Sequence, residues 1–342
     1  MQKSKRRILG IPNRIYLLAF IILGFVAARF YPPVLPHIQL PAEAYTPGHP
    51  QFVLPVSGPF YWTNTLTAMV IADILIVIIA LIVRRAVNSG ELVPKGFAGA
   101  VEALLEVIYN LTESTAGKWA RQIFPWFAAI TLFVLVVNWT ELIPGVDSIG
   151  IIHDVHGGEI EGHAIQPVLG GAATTIVTGK GDYALIPWVR VLSTDLNFTV
   201  GLALISIFMT QVFGVRALGA GYFQKFINIK GFSASPIFGA IDFGVGILEL
   251  VSEVSKILSF SFRLFGNIFA GTVLLFVIGT LVPVFAQSIF LMLEFFVGLI
   301  QAVVFGMLTM VYMAQATAGH GDHGGHADGD DHGQPIPGPE MI

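Results

Sequence analysis

The chain has 342 residues, of which 54% are hydrophobic and only 12% charged, with a formal net charge of −4 and no cysteine. That charged share is about half of an ordinary soluble domain's, and the mean hydropathy of +0.76 excludes a water-soluble globule in favour of a bilayer protein. The small net charge and scattered Lys and Arg exclude a nucleic-acid groove, and the lack of Cys excludes disulfides, thiolate metal sites and redox couples.

The first apolar run, residues 15–28, follows Lys3, Lys5, Arg6 and Arg7. At about 14 residues it sits at the short limit for a span, and its basic leader with Ala27 and Ala28 fits a secretory signal nearly as well as a retained anchor. Residues 31–59 are Pro-rich, poor in charge and without periodicity, which predicts an irregular extracytoplasmic segment. A span is predicted over 66–83, stopped by Arg84 and Arg85.

Over 96–121, Val101, Leu104, Leu105, Ile108 and Leu111 recur at helical spacing against Glu102, Glu106, Glu113 and Lys118, the pattern of an interfacial or partner-facing amphipathic helix. Further spans are predicted over 123–139 and 196–215, and two longer ones over 237–282 and 284–314. A helix of about 40 residues is about 60 Å long, whereas the hydrocarbon core is about 30 Å thick. Both long segments are therefore expected to be broken or steeply tilted, a surface suited to another membrane body. The fold class is all-α and polytopic, with five to six membrane helices plus one cytoplasmic amphipathic helix.

Arg84, Arg85, Lys95, Lys118, Arg121, Arg216, Lys225 and Lys230 all fall in alternate connections, which places those connections in the cytoplasm. The opposite loop, 141–190, carries Asp147, Asp154, Glu159, Glu161 and Asp182 and few cations, so it is expected outside, with the C-terminal tail inside. Three parts follow: 1–62, a signal or anchor with a Pro-rich segment; 63–316, the membrane domain; and 317–342, a His/Asp/Gly-rich tail. The tail, from His320 through His323 and His326 to His332, has the composition of a disordered segment or a weak metal-binding tract. His153, His156 and His163, beside Asp154, Glu159 and Glu161, either collect protons or belong to a solvated loop.

The chemistry concentrates in the two long segments. Arg263 stands inside an apolar run, and a guanidinium at membrane depth cannot discharge to lower its cost, so it is a functional candidate by default. At 100° per residue, Glu249, Ser252, Lys256, Arg263, Asn267 and Ala270 share a stripe about 60° wide. Glu253 and Thr272 point elsewhere, Glu253 being expected in solvent or among lipid headgroups, and Lys256 is expected as a snorkelling or partner-facing structural cation. Glu294, Gln301 and Tyr312 are separated by 7 and 11 residues and share a face of the last segment. Asn138 with Glu141, and Asp195 with Asn197, are further polar groups at membrane depth or span ends. A phosphate loop is excluded at Gly179-Lys180, where Thr174 stands in place of the needed glycine and no apolar strand leads in, so neither ATP binding nor a cofactor is expected.

Arg263-Leu264-Phe265-Gly266-Asn267-Ile268-Phe269-Ala270-Gly271 resembles the hallmark of subunit a of the F-type rotary ATP synthase. Leu299-Ile300-Gln301-Ala302 with Tyr312, and Asn138-Trp-Thr-Glu141-Leu-Ile-Pro144, match two more of that family's motifs, and together they cover about 66–312. The resemblance implies a stator that meets a rotating ring of c subunits, each a hairpin with a buried carboxylate, and that joins peripheral-stalk b subunits and the rest of the synthase in a bacterial plasma membrane. It assigns Arg263 to the boundary between two half-channels. It assigns Glu141, Asp195, Asn197, Asn267, Glu294 and Gln301 to the outer half-channel, and Glu249 and Ser252 to the cytoplasmic one. Many members carry an interacting Glu and His where this chain has Thr272 and Glu294, so Glu294 alone, with water, is expected to carry that part of the path. H⁺ is favoured over Na⁺. An autonomous secondary transporter would show inverted repeats, and no internal similarity is found. A structural scaffold would leave the charge within a polar stripe unexplained.

Overall fold

The computed structural model describes residues 7–8, 11–12, 15, 16, 18, 19, 22–24, 26, 41–46, 48–55, 58–88, 96–143, 146–154, 162–168, 171, 173–226, 236–281 and 285–318. Of the expected anchor at 15–28, residues 15, 16, 18, 19, 22–24 and 26 are described and helical; the tail beyond 318, Lys95, Lys230 and His156 lie outside the described residues.

Six helices build the membrane part: α1 (Asn64–Asn88), α2 (Phe97–Ala116), α3 (Ala120–Trp139), α4 (Leu196–Leu218), α5 (Pro236–Leu281) and α6 (Phe285–Thr317). By length and composition, five stretches among the described residues suffice to cross a membrane, with α2 and α3 counted as one run, Phe97–Leu142. A 3₁₀ turn, Gly117–Trp119, joins those two, and Gly117 takes the positive φ of 50° that the turn requires.

The amphipathic reading of α2 holds: Val101 and Ile108 are buried while Glu102, Glu106 and Glu113 are exposed. α1 is apolar nearly all round and buries only Asn64, Thr65, Ala68 and Ala72, the pattern of a lipid-facing helix docked along one small-residue edge. Ala68 and Ala72, one turn apart, pack on Val137 and Leu192.

Between helices in lipid there is little hydrophobic drive, so close packing must hold them together. The main core joins Ile130, Val134 and Leu135 of α3, Leu202, Ala203 and Ile207 of α4, Phe260, Leu264 and Ile268 of α5, and Ala302 and Phe305 of α6. Glycine brings α3 and α6 together, since a Cβ on Gly306 would fall 2.0 Å from Thr131 Oγ1 and one on Gly298 would lie 3.2 Å from Asn138 Cβ. Trp139 closes that seam by stacking on Phe295 at 4.7 Å and donating its indole N–H to the Phe295 carbonyl at 3.2 Å.

Neither long segment is broken. α5 runs 46 residues and α6 runs 33. No proline lies between Pro236, which opens α5 where its missing N–H costs nothing, and Pro283, which follows its end. At 1.5 Å per residue α5 is about 69 Å long, more than twice the hydrocarbon thickness. Of the two expected solutions, steep tilt or projection beyond the core is the one left.

The connection between α3 and α4 is more ordered than its composition suggests. Strands β3 (Gly150–Asp154), β4 (His163–Val168), β5 (Ala173–Lys180) and β6 (Tyr183–Pro187) form an antiparallel sheet in the order β3-β6-β4-β5. The β-branched run Thr174-Thr175-Ile176-Val177 favours the extended state, and Gly181-Asp182 links β5 to β6, which lie on either side of β4. Likewise, part of the segment expected to be irregular forms a hairpin of β1 (Phe52–Leu54) and β2 (Gly58–Phe60), with Phe52 stacked on Phe60 at 4.5 Å.

Candidate functional site

Arg263 is half-buried on α5, between Phe262 and Leu264, which point to opposite sides: Leu264 into the core and Phe262 outward, 55% exposed. Its Nη2 donates to Ser259 Oγ, one turn back on the same helix, at 3.4 Å. Among the described residues no carboxylate lies within ion-pair distance of it. The stripe predicted on α5 faces outward: Ser252, Asn267 and Ala270 are exposed and Glu249 half-buried, amid exposed Leu248, Val251, Leu258 and Phe262.

Toward the end of α5 a polar cluster assembles from α1, α3, α4, α5, α6 and the turns that flank α3 and α4. Asn267 Nδ2 donates to Gln301 Oε1 at 2.8 Å, and Gln301 is buried. Thr272 Oγ1 donates to Glu141 Oε1 at 2.6 Å, and Glu294 packs so tightly on Gly271 that a Cβ there would sit 1.9 Å from its Oε1. Ser193 Oγ donates to Asn138 Oδ1 at 2.7 Å, while Asn138 Nδ2 reaches the Gly298 carbonyl at 3.2 Å. Buried Asp195 caps α4, accepting Asn197 N–H at 2.9 Å through Oδ1 and Thr65 Oγ1 at 3.1 Å through Oδ2. The Asn197 side chain is exposed, so only its backbone joins this cluster. Glu294 Oε2 and Gln301 Nε2 are buried without a protein partner. Glu141 and Glu294 thus reach adjacent residues of α5, Thr272 and Gly271.

A second cluster lies toward the other end. Glu253 is buried, against the expectation of a solvated or headgroup-facing side chain. Its Oε1 accepts Lys256 Nζ at 2.9 Å and Lys225 Nζ at 3.2 Å, and its Oε2 accepts Gln211 Nε2 at 3.0 Å. A carboxylate surrounded by two ammonium groups and an amide meets the cost of burial. Lys225 also reaches Glu249 at 3.2 Å, and Lys256 lies 4.9 Å over the Tyr312 ring. Lys256 Nζ is thus held by both the Glu253 carboxylate and the Tyr312 ring. Ser252, one residue away, stays exposed. Along the helix, Glu249 is about 21 Å to one side of Arg263 and Thr272 about 14 Å to the other.

A third group, missed in the sequence, sits outside the spans. Glu43 holds Asn64 with both its backbone N–H, at 3.2 Å to Oδ1, and its carboxylate, which accepts Nδ2 at 3.0 Å. Burial pushes Glu43 up despite Arg190 and Asn64, and pushes Asp147 up to about 6 against the opposing pull of Arg190. Arg190 is itself pulled down by burial, with Glu43, Asp147 and Asp195 acting against that. It donates to the Pro41 carbonyl at 3.0 Å. Glu43 leads through Asn64 and its neighbour Thr65 to Asp195, so a titratable edge adjoins the polar cluster. No periodic pattern marks 31–59, which hid Glu43.

Asp147 makes stability depend on pH with a defined sign. Its folded pKa of about 6 exceeds the ordinary 3.8, so the folded state holds the proton longer than the unfolded one. That contribution is complete below the unfolded value and is lost as pH rises through about 6. Melting of the solubilised protein from about pH 4 to about pH 8 should show wild type losing more stability across this window than Asp147→Asn, with equal slopes above it. Parallel curves throughout would remove Asp147 from the account.

Fold and site together define a polytopic helical membrane protein in which α5 carries, between two separate polar clusters, a cation with no carboxylate partner among the described residues. The chain belongs to the ATP synthase A chain family, which matches residues 66–314, and is a subunit a of the F-type ATP synthase. It is 31% identical over 248 residues to ATP synthase subunit a of Acinetobacter baumannii, covering 70% of this chain and 77% of that one. It is 26% identical over 236 residues to ATP synthase subunit a of Moorella thermoacetica, covering 69% and 83%. With ATP synthase subunit a 1 of Syntrophotalea carbinolica it shares 28% over 238 residues, 70% and 79% of the two chains.

Proposed function

We propose that this chain is the ion-conducting stator of its synthase, set against a rotating ring of c subunits, with two half-channels meeting at Arg263. The observation that carries this is a guanidinium, without a carboxylate partner among the described residues, in an outward stripe bordered by exposed apolar side chains. A charge held there without an acid partner is suited to a carboxylate supplied from outside the chain. As each ring carboxylate passes, Arg263 keeps it ionised and blocks direct proton transfer between the two sides.

The outer half-channel runs past Asp195, Asn197, Glu141, Glu294, Gln301 and Asn267, and the cytoplasmic one past Glu249 and Ser252. Their separation along α5 supports two offset paths, because a proton crossing the membrane must then ride the ring between them. The field supplies about 2.3 kcal/mol per charge per 100 mV for that ride. Residues 63–316 form the channel domain, following an N-terminal part (1–62) and preceding a cytoplasmic tail (317–342), in a bacterial plasma membrane. Arg84, Arg85, Arg216 and Lys225 mark the cytoplasmic side. Peripheral-stalk b subunits hold the assembly against rotation.

Disulfide trapping tests this directly, since the chain has no native Cys. Phe262→Cys should crosslink to a cysteine placed beside the ring carboxylate, and the chain should co-purify with small proteolipids. A chain that purifies alone and carries ions when reconstituted alone would be a secondary transporter instead.

A further inference from the structure

Glu141 and Glu294 reach neighbouring residues of α5 from different elements. Glu294 comes from α6 and takes the space a side chain at Gly271 would need. Glu141 comes from the 3₁₀ turn after α3, Thr140–Leu142, and accepts the Thr272 hydroxyl. Both carboxyl groups are buried, and the nearest other charge acting on Glu141 is Asp147.

Thr272 has one hydroxyl proton and two acceptors within reach: Glu141 Oε1 at 2.6 Å and the Ile268 carbonyl at 3.0 Å. An ionised Glu141 takes that proton in a charge-assisted bond. A protonated Glu141 becomes the donor, giving its O–H to Thr272 Oγ1 while the hydroxyl proton turns to Ile268. No covalent bond changes in this turn, and one hydrogen bond to Glu141 is kept in either state. A hydroxyl at this point therefore holds the carboxyl in place whether or not it carries a proton.

We propose that Thr272 is a positioning residue that holds Glu141 beside Glu294 in both protonation states, making the two carboxyls a proton-transfer pair. The proton leaves Glu141 as O–H and arrives on Glu294, whose buried Oε2 has no protein partner. The pair rests on the outer half-channel proposed above.

The test compares Thr272→Val, which keeps shape and removes the hydroxyl, with Thr272→Ser, which keeps the hydroxyl, in the whole synthase in vesicles. Proton-driven ATP synthesis should fall about fivefold to tenfold in T272V and stay near wild type in T272S. The infrared carbonyl band of protonated Glu141, identified by its loss in Glu141→Gln, should move in T272V and not in T272S. Should T272V fail to assemble, Thr272→Ala removes the same hydroxyl and carries the same expectation. Wild-type synthesis with an unmoved band in the variant lacking the hydroxyl overturns the proposal, as does a serine variant that fails equally. Arg263→Ala run alongside separates the two levels: normal coupling there overturns the half-channel function itself, whatever Thr272 does.

Discussion

Arg263→Ala should abolish proton-driven ATP synthesis while leaving the complex assembled. The side chain is half-buried and holds only a long hydrogen bond to Ser259 of its own helix among the described residues, so its removal costs little packing. What is lost is the charge that keeps a passing carboxylate ionised. At about 4 Å and an effective dielectric near 20, such a pair is worth about 4 kcal/mol, which is close to three orders of magnitude in rate or occupancy. Arg263→Lys should fail too, because an ammonium in an apolar site can release its proton and a guanidinium cannot. Synthesis and ATP-driven pumping in reconstituted vesicles measure both; normal coupling in either variant would sink the assignment.

The second large effect belongs to Glu294. Glu294→Gln preserves size and most hydrogen bonding but removes the ionisable proton, so it separates proton transfer from packing. A loss of tenfold or more in proton-driven synthesis is expected, with assembly intact, since general acid–base groups commonly contribute about 10² or more. A second titratable group at position 272 should restore part of the loss. Glutamate at position 272 would place its carboxyl against Glu141, so like charges would oppose it, whereas Thr272→His can accept from or donate to Glu141. Partial recovery in the histidine double variant alone is the expected pattern. Wild-type turnover in Glu294→Gln would demote Glu294 to a packing residue and leave the path to Glu141, Asp195 and water.

Legibility followed the range of the interactions. The spans, the amphipathic α2 and the outward stripe through Arg263 were readable because each rests on helical periodicity within one segment. Glu253 was misjudged, and the partner of Thr272 missed, for the same reason. A helical projection tells which side of a helix a residue takes, not what lies there. The acceptor for Thr272 is 131 residues away, and Lys225, one partner of Glu253, is 28 away. The Glu43–Asn64 contact, across 21 residues, was hidden by a Pro-rich stretch with no period, and the sheet from β3 to β6 by strands too short and mixed to alternate clearly.

By itself, the amino-acid sequence determined a polytopic membrane protein, its helix order, its charge sidedness and a cation that cannot be neutralised. Those properties come from the transfer cost of polar groups into lipid and from the 3.6-residue turn, both local along the chain. Only the tertiary structure decided that α5 stays whole, that Glu253 is locked between two lysines, and that Glu141 and Glu294 reach the adjacent residues Thr272 and Gly271. These depend on which helices touch and on glycine letting them approach, and a contact between distant segments leaves no periodic trace in either one.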